Sequence, residues 1–111
     1  MFAGCYKLEE VKIRKENETI PSEIFYDCFN LKKVEIEDGV TEIDMEAFEN
    51  NYCLEKIFIP KTVTKISNYP FTGCENLTVY CEAEEKPEGF EPRWSYGVKN
   101  VVWGSSRSDV A

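Results

Sequence analysis

Cysteine is the residue type in this 111-residue chain best suited to chemistry, because a thiol can form a disulfide, bind a metal or act as a nucleophile. The five cysteines are Cys5, Cys28, Cys53, Cys74 and Cys81. No two of them form a C-x-x-C pair, and the chain has no histidine. The usual zinc ligand sets and the commonest general base are therefore missing. We expect no metal site and no cofactor.

Two interpretations of the cysteines remain open. Cys5, Cys28 and Cys74 recur at one constant spacing or a multiple of it, which favours a buried column where a thiol acts as a small hydrophobe. A disulfide between neighbouring units is also within reach, because stacked strands lie about 5 Å apart. The odd number leaves at least one free thiol, and free thiols suit a reducing or anaerobic setting.

Acidic residues could supply the carboxylate pair of a glycosidase, since the chain has 21 of them against 13 basic residues. None is set in an apolar pocket motif, so a solvated face is the better interpretation and we predict no enzyme. The net charge of -8 disfavours nucleic acid and an anionic membrane surface as partners. No apolar run is long enough for a transmembrane helix, so we expect no membrane insertion.

A repeat with a period of about 23 residues organises the chain. Its recurring positions are Phe2, Phe25, Phe48 and Phe71, then Leu8, Leu31, Leu54 and Leu77, then Val11, Val34 and Ile57, and then Ile13, Ile36 and Ile59. The F-x-x-C-x-x-L part has apolar residues three apart, which predicts a short helical or 3₁₀ turn. The L-x-x-V-x-I part alternates and predicts a short strand, and a second extended piece follows, as at residues 39–43.

No single unit can bury both its phenylalanine and its aliphatic set, so the repeat predicts a solenoid of stacked units with parallel strands in register. We assign residues 1–82 to about three and a half units, residues 83–104 to a C-terminal cap, and residues 105–111 to a flexible tail. The cap prediction depends on a polar loop followed by the large rings of Phe90, Trp94 and Tyr96. The N-terminal end has no cap pattern, which predicts self-association through residues 2–14 unless upstream sequence covers them.

The third unit carries the fullest form of the repeat, with Ala47-Phe48, Leu54, Ile57, Ile59-Pro60, Val63 and Ile66. It resembles the A-F-x-x-C-x-x-L-x-x-V-x-I-P-x-x-V-x-x-I pattern of the bacterial surface-antigen type, or BspA-like, leucine-rich repeat proteins. Three departures are Asn51 for the cysteine, Pro70 for the alanine and Asn17 for the valine of the second strand. The resemblance implies an α/β leucine-rich repeat fold and a bacterial cell-surface protein that contacts other proteins.

Candidate partner-binding residues lie on the strands beside the core positions, where they point onto the sheet surface. They are Lys12, Lys33, Glu35, Lys56 and Phe58. Opposite charges in neighbouring units can equally be intramolecular ladders that hold the register. Phe58 does not fit such a ladder, and we expect an exposed ring that could anchor an interface. The alternative is that the C-terminal loop folds over this ring.

These observations favour a non-catalytic, protein-binding leucine-rich repeat module that forms the C-terminal part of a bacterial cell-surface or adhesion-type protein. The expected location is then the cell surface or the secreted fraction. The alternative is an intracellular interaction or scaffold protein in the cytoplasm. It draws on the absence of a signal-peptide pattern in residues 1–20 and on the cysteines.

Overall fold

The computed structural model describes residues 9–13, 19–20, 30–45 and 47–110. Short strands dominate this part of the chain. Their bounds are β1 Glu10–Ile13, β2 Thr19–Ile20, β3 Lys33–Ile36, β4 Glu42–Ile43, β5 Lys56–Ile59, β6 Lys65–Ile66, β7 Thr78–Cys81 and β8 Asn100–Val102. In the described part of the chain, one 3₁₀ helix, η1, spans Arg107–Val110.

The strands form two parallel sheets. One has the order β1-β3-β5-β7-β8 and the other has the order β2-β4-β6. Val11 pairs with Val34 and Val34 pairs with Ile57, so each step along the sheet equals one repeat of the sequence, as predicted. Ile57 pairs with Val79, which makes this step shorter by a single position. The step is shorter because one residue separates Leu77 from Val79, whereas two separate Leu54 from Ile57.

The two sheets are joined by tight turns, and the helical part of the predicted α/β fold is absent from the described residues apart from η1. Cys74 N donates to Phe71 O at 2.9 Å and Leu77 N donates to Cys74 O at 3.2 Å, which are single i to i+3 turns. The backbone is left-handed at the equivalent positions Asn50 (φ 63°) and Gly73 (φ 88°). A residue in that conformation ends a helix. The described chain is therefore a parallel β-solenoid of about three turns.

The core consists of side-chain columns that run through successive turns. Leu31, Leu54 and Leu77 have no exposed surface. The rings of Phe48 and Phe71 stack with centroids 5.7 Å apart and an interplanar angle of 17°. Complete burial of one such side chain contributes roughly 1.5–3 kcal/mol, so the columns supply most of the driving force that holds the units together.

Asn51 occupies the position in the repeat that Cys74 holds one unit later, and both are completely buried. The Asn51 amide donates to the carbonyl of Phe48 at 2.6 Å, and the Cys74 thiol approaches the same oxygen at 3.2 Å. A buried polar side chain is tolerated when it is hydrogen-bonded. Asn51 therefore bonds within its own turn, Cys74 reaches back to the turn of the preceding unit, and both meet at the Phe48 carbonyl.

Aromatic residues cover the C-terminal end of the core. Phe90 lies 4.9 Å from Trp94, and Trp94 lies 5.7 Å from Trp103, measured between ring centroids. Phe90 also bridges to Ile66 in a parallel arrangement. The loop before it runs so close to the Thr64 carbonyl that a side chain at Gly89 would collide with this oxygen. Residues 89–103 thus shield apolar surface that the last repeat would otherwise expose.

Substitution of two adjacent residues tests this register. Leu31→Ala should lower the free energy of unfolding by about 2–5 kcal/mol, because it opens a cavity in a stacked column. Lys32→Ala should cost less than about 1 kcal/mol, since it removes only an exposed ion pair with Glu9 at 3.8 Å. Chemical denaturation of both variants provides the measurement. Equal losses would contradict the register.

Candidate interaction surface

The outer face of the five-stranded sheet is formed by the side chains that alternate with the core. We call it the sheet face. It has two columns. The first comprises Lys12, Glu35, Phe58, Tyr80 and Val102, and the second comprises Glu10, Lys33, Lys56, Thr78 and Asn100. Neighbouring strands lie about 4.8 Å apart, so residues that follow one another in a column are direct neighbours. All five candidate residues predicted from the sequence lie on this face.

Ion pairs between units support one part of the charge-ladder interpretation. Lys33 Nζ lies 3.1 Å from Glu10 Oε1, and Lys32 Nζ lies 3.8 Å from Glu9 Oε1. Both acids are more than half exposed, so each pair contributes only a few tenths of a kcal/mol, up to about 1 kcal/mol. These side chains border a shallow hollow that Lys56 also lines. The pairs can align neighbouring strands and still remain available to a partner.

Phe58 is completely buried, which corrects the expectation of an exposed ring. Phe58 lies on the sheet face because side chains of β5 alternate between the two sides of the sheet. Residues beyond the last strand fold back over it. The Arg107 guanidinium carbon lies 4.8 Å from the centre of the ring. η1 packs against β3 and β5 at this point. The alternative, in which C-terminal residues fold over the ring, agrees with the structure.

Arg107 joins the returning segment to two acids near β3. Its Nη1 donates to Glu35 Oε1 at 3.0 Å, and its Nη2 donates to Asp38 Oδ1 at 2.9 Å. Partial burial acts to lower the pKa of Arg107, but the hydrogen bonds to Asp38 and Glu35 outweigh it and raise the pKa above its ordinary value. The guanidinium therefore has a charged, two-acid binding site with an aromatic floor.

The segment 105–110, for which the sequence predicts a flexible tail, packs against the sheet. Ser105 is buried and its backbone N donates to Cys81 O at 2.9 Å. Asp109 Oδ2 accepts from Ser106 N at 2.8 Å, and Val110 is 1% exposed. The polar composition of the segment gave no sign of this packing. The one sequence feature that agrees with the packing is an arginine followed by a valine three residues later. The acids and the phenylalanine that the arginine contacts lie far away in the sequence.

The structure adds three residues to the predicted site. Asp38 and Arg107 line a second shallow hollow together with Lys12, Glu35 and Glu37. Tyr80 is the neighbour of Phe58 in the first column. Asp38 was missed because it lies in the turn after β3, and Arg107 because its partner Glu35 is 72 residues away in the sequence. The sheet face thus combines acids, lysines and aromatic rings.

The cysteines of the described residues fall into two environments. Cys74 and Cys81 are buried free thiols, and Cys53 is an exposed free thiol. Burial raises the pKa of Cys74 and of Cys81 to about 12. Cys5 and Cys28 lie outside the described residues. Within the described ranges, no group of three or more Cys, Asp or Glu side chains has an arrangement that could hold a metal ion.

The family model for the BspA type leucine rich repeat region (6 copies) matches residues 1–83. The chain therefore belongs to the BspA-like leucine-rich repeat proteins. Repeat solenoids of this class are typically binding scaffolds for proteins, and BspA-type repeats are typical of bacterial surface proteins. No curated protein matches the chain significantly, and no solved structure does. Among the residues that the structure describes, no helix has the length and apolar character needed to cross a membrane.

Thiol labelling tests the two cysteine environments. At pH 8.5, Cys53 should react rapidly with iodoacetamide in the folded protein, because its thiol is exposed. Cys74 and Cys81 should react at least about tenfold more slowly, since burial blocks access and keeps both thiols protonated. Mass spectrometry of proteolytic peptides identifies each labelled site. Equal rates for Cys53 and Cys74 would contradict the burial, and labelling in denaturant without a reductant is the control.

Proposed function

We propose that this chain is a non-catalytic protein-interaction module that recognises its partner through the sheet face. The observation that carries the proposal is the arrangement of the two columns, which places basic, acidic and aromatic side chains next to one another on one continuous surface. Solenoids commonly use such extended sheet surfaces for binding. Lys12, Lys33, Glu35, Lys56 and Phe58 are the proposed partner-binding residues. Phe58 can contribute only where the 105–110 segment is displaced.

The chemistry of the face supports protein recognition. Aromatic rings surrounded by charged groups are typical of interface anchors with a polar rim. The ion pair between Lys33 and Glu10 lies on the same surface with its Glu10 side exposed, so a partner can exchange it for a pair of its own. Such pairs mainly determine specificity and the rate of association. BspA-type repeats are typical of bacterial surface proteins, and this supports the further proposal that the module is part of a bacterial cell-surface or adhesion-type protein.

An intracellular scaffold is the second proposal for location. The free thiols of Cys53, Cys74 and Cys81 favour it, because a reducing compartment preserves thiols. The two locations differ in the partner that each provides. A surface module meets proteins of host or neighbouring cells, whereas a scaffold meets cytosolic proteins. The binding experiment therefore needs both sources of partner.

A pull-down with charge-reversal variants tests the proposal. The immobilised chain should retain a protein from a host-cell or neighbouring-cell surface extract, and less or none from a cytosolic extract. Lys12→Glu/Lys56→Glu should reduce retention about tenfold, because both lysines lie on the sheet face. The matched control is Lys61→Glu/Lys65→Glu, which makes the same charge change near the three-stranded sheet.

Equal retention by the two double variants would contradict recognition through the sheet face. Retention from the cytosolic extract alone would favour the intracellular scaffold. A repeat at high salt should weaken the binding, since exposed charges contribute to it.

Self-association through residues 2–14 is a further part of the proposal. β1 lies at one edge of the five-stranded sheet among the described strands, and an edge strand can pair with another chain. Phe2 and Leu8 lie outside the described residues. Light scattering across a concentration series should show association by the native chain and less of it for Val11→Lys. Thr64→Lys is the control for added charge, and a native chain that stays monomeric throughout would contradict the proposal.

A further inference from the structure

We infer that the sheet face around Glu35, Asp38 and Phe58 is a recognition site for an arginine-containing peptide segment of a partner protein. The 105–110 segment occupies this site as an internal competitor. The inference rests on the proposed function, because it names the chemistry of the partner and a means of regulating access. It is carried by the way in which the chain binds its own Arg107.

The first element of the site is selective for a guanidinium group. Glu35 and Asp38 accept from separate nitrogens of Arg107 at 3.0 and 2.9 Å, and the Phe58 ring lies beneath its guanidinium carbon at 4.8 Å. A planar fork with several donors satisfies two acids and an aromatic face at once. A lysine ammonium lacks this geometry. The site therefore discriminates between the two basic side chains.

The second element accepts a small apolar residue. Val110 follows Arg107 by three positions, and a 3₁₀ turn places such residues on the same side. Val110 is 1% exposed and lies beside the hollow that Lys33 and Lys56 line. The spacing defines a recognition pattern of arginine, two variable residues and an apolar residue. A partner with this pattern can present both groups from one short turn.

The contacts of the segment suit reversible occupation. The backbone groups of β3 and β5 are already paired within the sheet, so η1 is held there chiefly by side chains. The Asp38 side chain is 69% exposed and that of Arg107 is 35% exposed, which weakens their ion pair through solvent screening. The segment is favoured because it is tethered and its effective concentration is high. A longer partner segment with additional contacts can displace it.

Displacement would change the character of the surface. It would uncover the Phe58 ring and free Glu35 and Asp38, with Glu37 at the margin of the same hollow. Tyr80 stands next to Phe58 in the column. The exposed surface would combine negative charge with aromatic rings, which is complementary to arginine. The overall charge of -8 also favours a basic segment.

A labelled peptide measures the site directly in the full chain. The probe is residues 104–111, acetylated, amidated and carrying a fluorophore, with binding followed by anisotropy. Arg107→Glu should bind the probe about tenfold more tightly than the native chain, because repulsion from Glu35 and Asp38 releases the internal segment. Arg93→Glu makes the same change in net charge at an exposed position outside the site and should bind like the native chain.

Two further measurements test the preference for arginine and the fold of the variants. A probe with lysine in place of its arginine should bind Arg107→Glu at least about fivefold more weakly, since the ammonium cannot satisfy both acids and the ring. Arg107→Ala is a milder second variant, whose near-ultraviolet circular dichroism should match that of the native chain. It should also bind the arginine probe more tightly than the native chain does.

Equal binding by the native chain, Arg107→Glu and Arg93→Glu would overturn the inference. Loss of the native spectrum in both Arg107 variants without probe binding would also overturn it, because the segment would then be a fixed part of the fold. The proposed function would stand without the inference if the probe experiment failed while the pull-down still retained a partner in a way that depends on Lys12 and Lys56. Failure of the pull-down with intact probe binding would instead remove the proposed function.

Discussion

Stacking of short units at a constant step is the physical constraint on which the rest of this structure depends. Each repeat unit provides one apolar face that it cannot bury by itself. Burial is complete only when Leu31, Leu54 and Leu77 align, and the same alignment sets the register of both sheets. The tight turns follow from this constraint, because each turn must return the chain to the next strand within a fixed length.

The same constraint creates the interaction surface. Once the core positions of a strand face inward, the residues between them must face outward and form columns at the strand spacing. The columns place Lys12 beside Glu35, and Glu35 beside Phe58, without any local preference for these contacts. The first column begins with charged residues on β1 and β3 and continues with aromatic residues on β5 and β7. The face therefore has a polar end and an apolar end.

The C-terminal residues have two separate tasks. Phe90, Trp94 and Trp103 close the end of the core, where the repeat stops and apolar surface would otherwise be open. Residues 105–110 instead turn back onto the outer face and cover Phe58. The first task is required by any solenoid. The covering of Phe58 brings an arginine to the surface proposed for partner recognition. The chain therefore occupies this surface with its own residues.

The sequence by itself determined the repeat, the parallel register, the core columns and the residues on the sheet face, because these follow from a pattern that is repeated at constant spacing. It was also sufficient to identify the family. Only the tertiary structure decided that the turns at Asn50 and Gly73 stay short and do not extend into helices, since the backbone is left-handed at both residues. The burial of Phe58 was likewise decided by tertiary structure. Its cover comes from Arg107, whose acid partner Glu35 is 72 residues away, and no local period encodes a contact at that distance. The polar segment 105–110 shows no pattern of its own, and its order comes from the acids and the ring that the stacked strands assemble.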